Sequence, residues 1–109
     1  MAFSGSIRVR LDDGSCQSLD QLPQSFLVRT GRGIFRAHRI TRSYSGELIA
    51  MSPDEQTTPE QLFRVGAEWK GVEETFPDAE HCEVTDVPVF ELRVNGQVLL
   101  GNGRIAATD

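Results

Sequence analysis

Apolar and polar positions alternate along much of this chain with the two-residue period of half-buried strands. In Ser6–Leu11, Ile7, Val9 and Leu11 share one face, and Arg8 and Arg10 share the other. Phe26–Thr30 reads as a second strand, closed by Gly31 and Gly33. Ile34–Thr41 reads as a third, with Ile34, Arg36, His38 and Ile40 on one face, and Ser43–Gly46 as the turn that follows. Glu47–Ser52 is a short, nearly continuous apolar strand stopped by Pro53. Toward the end, Val89 and Phe90 are both apolar, and then Leu92 and Val94 alternate with Glu91 and Arg93. Asn95-Gly96 follows, a dipeptide that tolerates the two positive φ angles of a tight hairpin turn. Val98–Leu100 returns as a buried run, Asn102-Gly103 marks another turn, and Ile105 opens a last extended piece running into Ala106 and Ala107.

Helical patterning is sparse. Ser18–Pro23 predicts one short turn, with Ser18 as N-cap and Pro23 ending it. Thr58-Pro59-Glu60 predicts the start of a helix, with Leu62, Phe63 and Val65 as its apolar face and Gly66 as its stop. Trp69–Val72 reads as a strand, Phe76–His81 as an acidic loop, and Glu83–Thr85 as a bridge into the closing unit. About eight short strands with one or two helical turns predict a mainly β fold. No repeat or linker interrupts the chain, so residues 1–109 are expected to form a single compact domain.

Composition narrows the classes of function. A chain of 109 residues suits one modest core. The net charge of −5 disfavours nucleic acid as a partner, because that binding is driven by cationic contacts to phosphate. Arg29, Arg32, Arg36, Arg39 and Arg42 are concentrated locally and read as a solvated strand face opposite acidic segments. No apolar run approaches a membrane span, and the first residues lack the basic and apolar regions of a signal peptide, so a cytoplasmic setting and no membrane partner are expected. Cys16 and Cys82 lie in no Cys-x-x-Cys pair; with two scattered histidines they make no zinc pattern, and free buried thiols are expected. No cofactor is expected. His38 reads as a structural or surface histidine and His81 as a surface one, Asp12-Asp13-Gly14 as a turn, and Glu73 and Glu74 as a solvated face. Gly31-Arg-Gly33 and Gly101-Asn-Gly103 are turn chemistry, and the Gly-x-Ser-x-Gly hydrolase signature is absent.

The two ends taken together are more specific. The chain opens Ala2-Phe-Ser-Gly5, then a strand, an Asp-Asp-Gly turn and Ser18-Leu-Asp-Gln-Leu22. It closes Val89-Phe-Glu-Leu-Arg-Val94, then Val98-Leu-Leu-Gly-Asn-Gly103, then Ile105. This order resembles the Hint family of inteins and hedgehog-type autoprocessing domains. Inteins commonly begin Cys-Phe-Ser-Gly and close on a strand like Val-Tyr-Asp-Leu-x-Val, ending in His-Asn. In the middle, Glu47–Glu55 looks like the family's strand leading into Thr-Pro-Asp-His, and Gln61–Gly66 looks like its Glu-Leu-x-x-Gly segment.

The resemblance implies a Hint-like horseshoe of short strands and autocatalytic protein splicing. Its partners would be the flanking extein segments in cis, or a complementary fragment if the domain is split. The departures are specific. The first nucleophile, Cys or Ser, matches Ala2; the family's Thr matches Ser52 and its activating His matches Glu55; the closing-strand acid matches Glu91. Two registers fit the C-terminal junction. In the preferred one Ala106 stands for the penultimate His, Ala107 for the cyclising Asn, and Thr108 for the residue that accepts the acyl group. In the other, Ala107 stands for the His and Thr108 for the Asn. In the family, a Cys or Ser attacks the carbonyl before it, the residue after the domain takes over the acyl group, and the last Asn attacks its own carbonyl. Alanine at both scissile positions stops both cleavages, as engineered replacement or natural degeneration would. The alternative reading is a small phage or bacterial β-rich binding module without catalysis.

Overall fold

The computed structural model describes residues 1–108, and the chain is mainly β, in several antiparallel sheets. The strands are β1 (Phe3–Ser4), β2 (Arg8–Arg10), β3 (Cys16–Ser18), β4 (Ser25–Thr30), β5 (Gly33–Ser52), β6 (Glu55–Thr57), β7 (Leu62–Val65), β8 (Glu68–Gly71), β9 (Glu80–Arg93), β10 (Gln97–Leu99) and β11 (Ile105–Ala107). A 3-10 turn covers Leu19–Gln21, and one α-helical turn, α1, covers Val72–Thr75.

The framework is the long ladder between β5 and β9, which runs from His38 opposite Arg93 to Ala50 opposite Glu80. The near end of β5 pairs with β4, and its far end pairs with β6. β1 lies between β6 and β9, so β5, β6, β1 and β9 close into a ring in which every member is hydrogen-bonded to the next. Ring closure leaves these strands no open edge along that path. A small apolar cluster of Ala2, Leu48 and Val89 belongs to this ring, with Tyr44, Val84 and Val87 packed against it. The second sheet runs β10-β11-β7-β8. The main core joins both sheets through fully buried Phe3, Ile7, Ile49, Phe63, Leu92 and Leu100. Phe63 meets Phe76 edge-on, with ring centroids 5.3 Å apart. Among the described residues no helix is long and apolar enough to cross a membrane.

The structure departs from the sequence pattern in several places. Ser43–Gly46 does not turn the chain back. β5 runs through it as a bulge, with the register shift falling between Tyr44 and Gly46 and with Gly46 at φ 141°. A glycine takes that backbone without a Cβ clash. The Tyr44 hydroxyl donates to the Glu47 carbonyl at 2.8 Å and holds the bulge closed. The expected helix after Thr58 is also absent. Leu62–Val65 is a strand between β11 and β8, with Phe63 buried and Leu62 and Arg64 exposed. That is a two-residue alternation, and it wins over the proline-led start because both edges of the segment find ladder partners, β11 on one side and β8 on the other. The α-helical turn forms instead at Val72–Thr75, where a strand end and a solvated acidic face were expected. The acidic loop is shorter than expected, since β9 already begins at Glu80.

Gly5 is the tightest point of the N-terminal segment. A Cβ there would lie 2.8 Å from a ring carbon of Phe90 and 2.9 Å from Asp20 Cβ. The Gly5 carbonyl also accepts the Asp20 amide at 3.0 Å, so the backbone has little room to withdraw. Gly5→Ala should therefore cost about 1–3 kcal/mol, read as a lower denaturant midpoint at unchanged m-value.

Candidate functional site

The candidate site is organised by one turn, Thr58–Gln61, closed by the Gln61 amide donating to the Thr58 carbonyl at 3.1 Å. It follows directly from β6. Because Phe3 pairs with Thr57, the next step of that ladder brings Ala2 level with Thr58. The Ala2 amide donates to Thr58 Oγ1 at 3.0 Å, and the Thr58 amide donates to the Ala2 carbonyl at 3.0 Å. At the other end of the turn, Gln61 Nε2 donates to the Ala107 carbonyl at 2.8 Å. One four-residue turn thus holds both Ala2 and Ala107.

The peptide bond after Ala107 is gripped on both sides. Its carbonyl receives Gln61, and its N–H, on Thr108, donates to the Gly96 carbonyl at 2.9 Å. Ala106 pairs with Val98 on one side and Phe63 on the other. Ala2, Ala106, Ala107 and Thr108 are all buried, whereas the ends of a domain generally lie at its surface. The second of the two C-terminal registers places its scissile bond at residue 109, outside the described residues.

Glu91 faces the same region. β1 pairs with β9 through Phe3 opposite Phe90, and the next step sets Ala2 level with Glu91. The Glu91 carboxylate, about a fifth exposed, is ion-paired with the Arg42 guanidinium. Ser52 and Glu55 lie elsewhere. They face each other across the β5–β6 connection, where the Ser52 hydroxyl donates to the Glu55 carboxylate at 3.1 Å. That connection is tied to Ser4 and Ser6, not to Ala2: Gln56 N donates to Ser4 Oγ, and Ser6 Oγ donates to the Asp54 carbonyl. Glu55 stands three residues along the ladder from Thr58, about 10 Å at strand rise. Thr58 and Gln61 are the residues that contact Ala2 and Ala107. Their signal was in the sequence, because Thr58-Pro-Glu-Gln61 repeats the pattern of Ser52-Pro-Asp-Glu55 six residues later.

Four buried side-chain atoms among the described residues lack a hydrogen-bond partner: Arg39 Nε, Thr57 Oγ1, Gln61 Oε1 and Thr108 Oγ1. Three of them lie on the segments that hold Ala2 and Ala107. Buried polar atoms without partners are rare and mark strained or functional places.

The arginines do not form one face. Arg32 and Arg36 are exposed, and Arg29 donates to the Asp12 carbonyl. Arg39 turns inward, with Nη1 on the carbonyls of Leu19 and Leu22 and its guanidinium 5.1 Å from the Phe90 ring centre. His38 is exposed on β5. His81 stands on β9 between Glu47 at 3.0 Å and Glu73 at 3.5 Å. Cys16 and Cys82 are free and half-buried rather than fully buried. No protein-family model matches the chain, and no relative is found among curated proteins.

Two measurements test this arrangement. Thr58→Val removes the acceptor of the buried Ala2 amide and should cost about 1–3 kcal/mol, while Thr58→Ser should recover most of it; chemical denaturation compares the three proteins. Glu60, within the turn, has its carboxyl held below the ordinary 4.5. Burial pushes it up, but its own backbone amide, the Thr58 hydroxyl and the Met1 ammonium together outweigh that. A depressed carboxyl stabilises the fold above its unfolded value, and that stability is lost as pH falls through the folded one. The melting-temperature gap between wild type and Glu60→Gln should therefore be full above pH 4.5 and shrink below it.

Proposed function

We propose that this chain is a Hint-type protein-splicing domain held inactive by alanine at both junctions. The observation that carries the reading is the Thr58–Gln61 turn, which bonds Ala2 at one end and Ala107 at the other. Splicing needs two distant peptide bonds in one buried place, and proximity of this kind supplies much of the rate of an intramolecular acyl transfer.

The roles follow from the bonds. A thiol or hydroxyl at position 2 attacks the carbonyl before it, and the nitrogen that departs is the Ala2 amide. The Thr58 hydroxyl accepts the N–H of that nitrogen and holds the departing group in place. Glu91, level with Ala2 and paired with Arg42, supplies a negative charge beside the same bond. Thr108 carries the hydroxyl that accepts the acyl group, and its buried Oγ1 is without a partner. The preferred register, with Ala107 at the cyclising position, is supported by the grip on both sides of its peptide bond. Thr58, beside Ala2, takes the place first given to Ser52, and Gln61 stands at the other junction, on the Ala107 carbonyl. The substrate is the flanking chain in cis, or a complementary fragment if the domain is split. The domain acts once, without a cofactor, in the cytoplasm.

The test places the chain between two reporter domains and introduces Ala2→Cys and Ala107→Asn together. The expected result is a ligated double reporter and an excised domain. Ala2→Cys alone should give a junction that added thiol cleaves. A folded double variant that yields only intact precursor overturns the proposal.

A further inference from the structure

Gln61 is fully buried, and its carboxamide orientation is fixed by what surrounds it. Nε2 donates to the Ala107 carbonyl at 2.8 Å and to the Leu62 carbonyl at 2.9 Å, which uses both of its protons. A flipped amide would set Oε1 against two carbonyl oxygens, so the nitrogen is the atom that faces Ala107. Oε1, on the same carboxamide, has no hydrogen-bond partner. A buried amide oxygen without a donor is costly, and the neighbouring residue 107 is a methyl-bearing alanine that offers it no side-chain N–H.

We infer that the Gln61 carboxamide is the catalytic and selecting group of the C-terminal junction. Nε2 is the donor for the oxyanion that forms on the carbonyl of residue 107, and Oε1 accepts an N–H from a side-chain amide at that position. The inference rests on the splicing reading and gives it a chemistry at one bond. The side-chain nitrogen of an asparagine at 107 attacks the carbonyl carbon of the same residue, forming a new C–N bond and placing negative charge on the carbonyl oxygen. That oxygen already receives Nε2 at hydrogen-bond distance, which is the geometry of an oxyanion donor. The carbonyl re-forms, the bond to the nitrogen of Thr108 breaks, and one proton from the attacking amide ends on that nitrogen. The products are a cyclic imide at 107 and a free amine at 108, with no oxidant, reductant or water consumed. The Gly96 carbonyl, which accepts the Thr108 N–H, keeps the departing nitrogen oriented.

The two functions of the carboxamide can be separated by substitution. Gln61→Glu keeps the shape and an acceptor oxygen but removes the donor. Gln61→Leu removes both. Each is made in the Ala2→Cys, Ala107→Asn background between reporters, and cleavage at the two junctions is timed separately. Thiol-induced cleavage at the first junction serves as the measure of a folded domain. The expected result is a ratio of C-terminal to N-terminal cleavage that falls by about a hundred-fold in both variants, the loss typical of one oxyanion donor. Ala107→Gln, which offers an N–H but closes a larger ring, should cleave far more slowly than Ala107→Asn. If the background protein splices and the ratio is unchanged in both Gln61 variants, or if both junctions slow equally, this role for Gln61 is overturned while the splicing reading stands. If the background protein leaves both junctions intact, both readings fall.

Discussion

The bond between Ala2 and Thr58 is the constraint on which much of the molecule depends. It uses both backbone groups of Ala2, one on a side chain and one on an amide, so the first residues are held in a single register. Phe3 then enters the core, Ser4 binds the β5–β6 connection, and Gly5 fits against Phe90 and Asp20. Three residues farther on, the same turn reaches β11 through Gln61. Two long-range attachments made from one short turn are stiffer than two made from separate loops, because neither can shift without straining the other.

The long strands give that turn something rigid to stand on. β9 pairs with β5 from end to end, and β5 is long enough to pair also with β4 at its start and β6 at its finish. Arg39 adds a brace. Its guanidinium binds the carbonyls at both ends of the 3-10 turn and covers the Phe90 ring, tying the segment after β3 to the ring of strands. Such charge-assisted bonds to carbonyls are stronger than neutral ones. Glu91, one ladder step beyond Phe90 on β9, is ion-paired with Arg42 of β5.

Much of the fold was legible in the sequence because strict alternation specifies a strand face directly. Ile7 and Val9 turned inward as their pattern requires. The Asn95-Gly96 hairpin did not form: of the pair only Gly96 takes a positive φ, 77°, and β10 pairs with β11 in the second sheet instead of folding back on β9. Local signals failed where a distant partner decided the outcome. Thr58-Pro-Glu carries a good helix start, but the Thr58 hydroxyl is committed to Ala2, fifty-six residues away in sequence, and cannot cap a helix. Ser43–Gly46 has turn residues, but β9 offers a ladder long enough to pull it straight. The candidate site suffered from the same ambiguity. Two Ser/Thr-Pro-acid segments stand six residues apart, and only the pairing of Phe3 with Thr57 distinguishes which one lies beside the N-terminal segment.

The place of β1 between β6 and β9 has a consequence for the order of events during synthesis. The residues of β1 cannot take up their final setting until Val89 and Phe90 have been made, and Gln61 has no Ala107 carbonyl to hold until that residue has followed. Contacts of such wide sequence separation form late in folding. Ala2 and Ala107 therefore stay apart in the nascent chain until the whole segment between them has been made. Under the splicing function proposed above, the topology itself acts as a safeguard against a premature reaction.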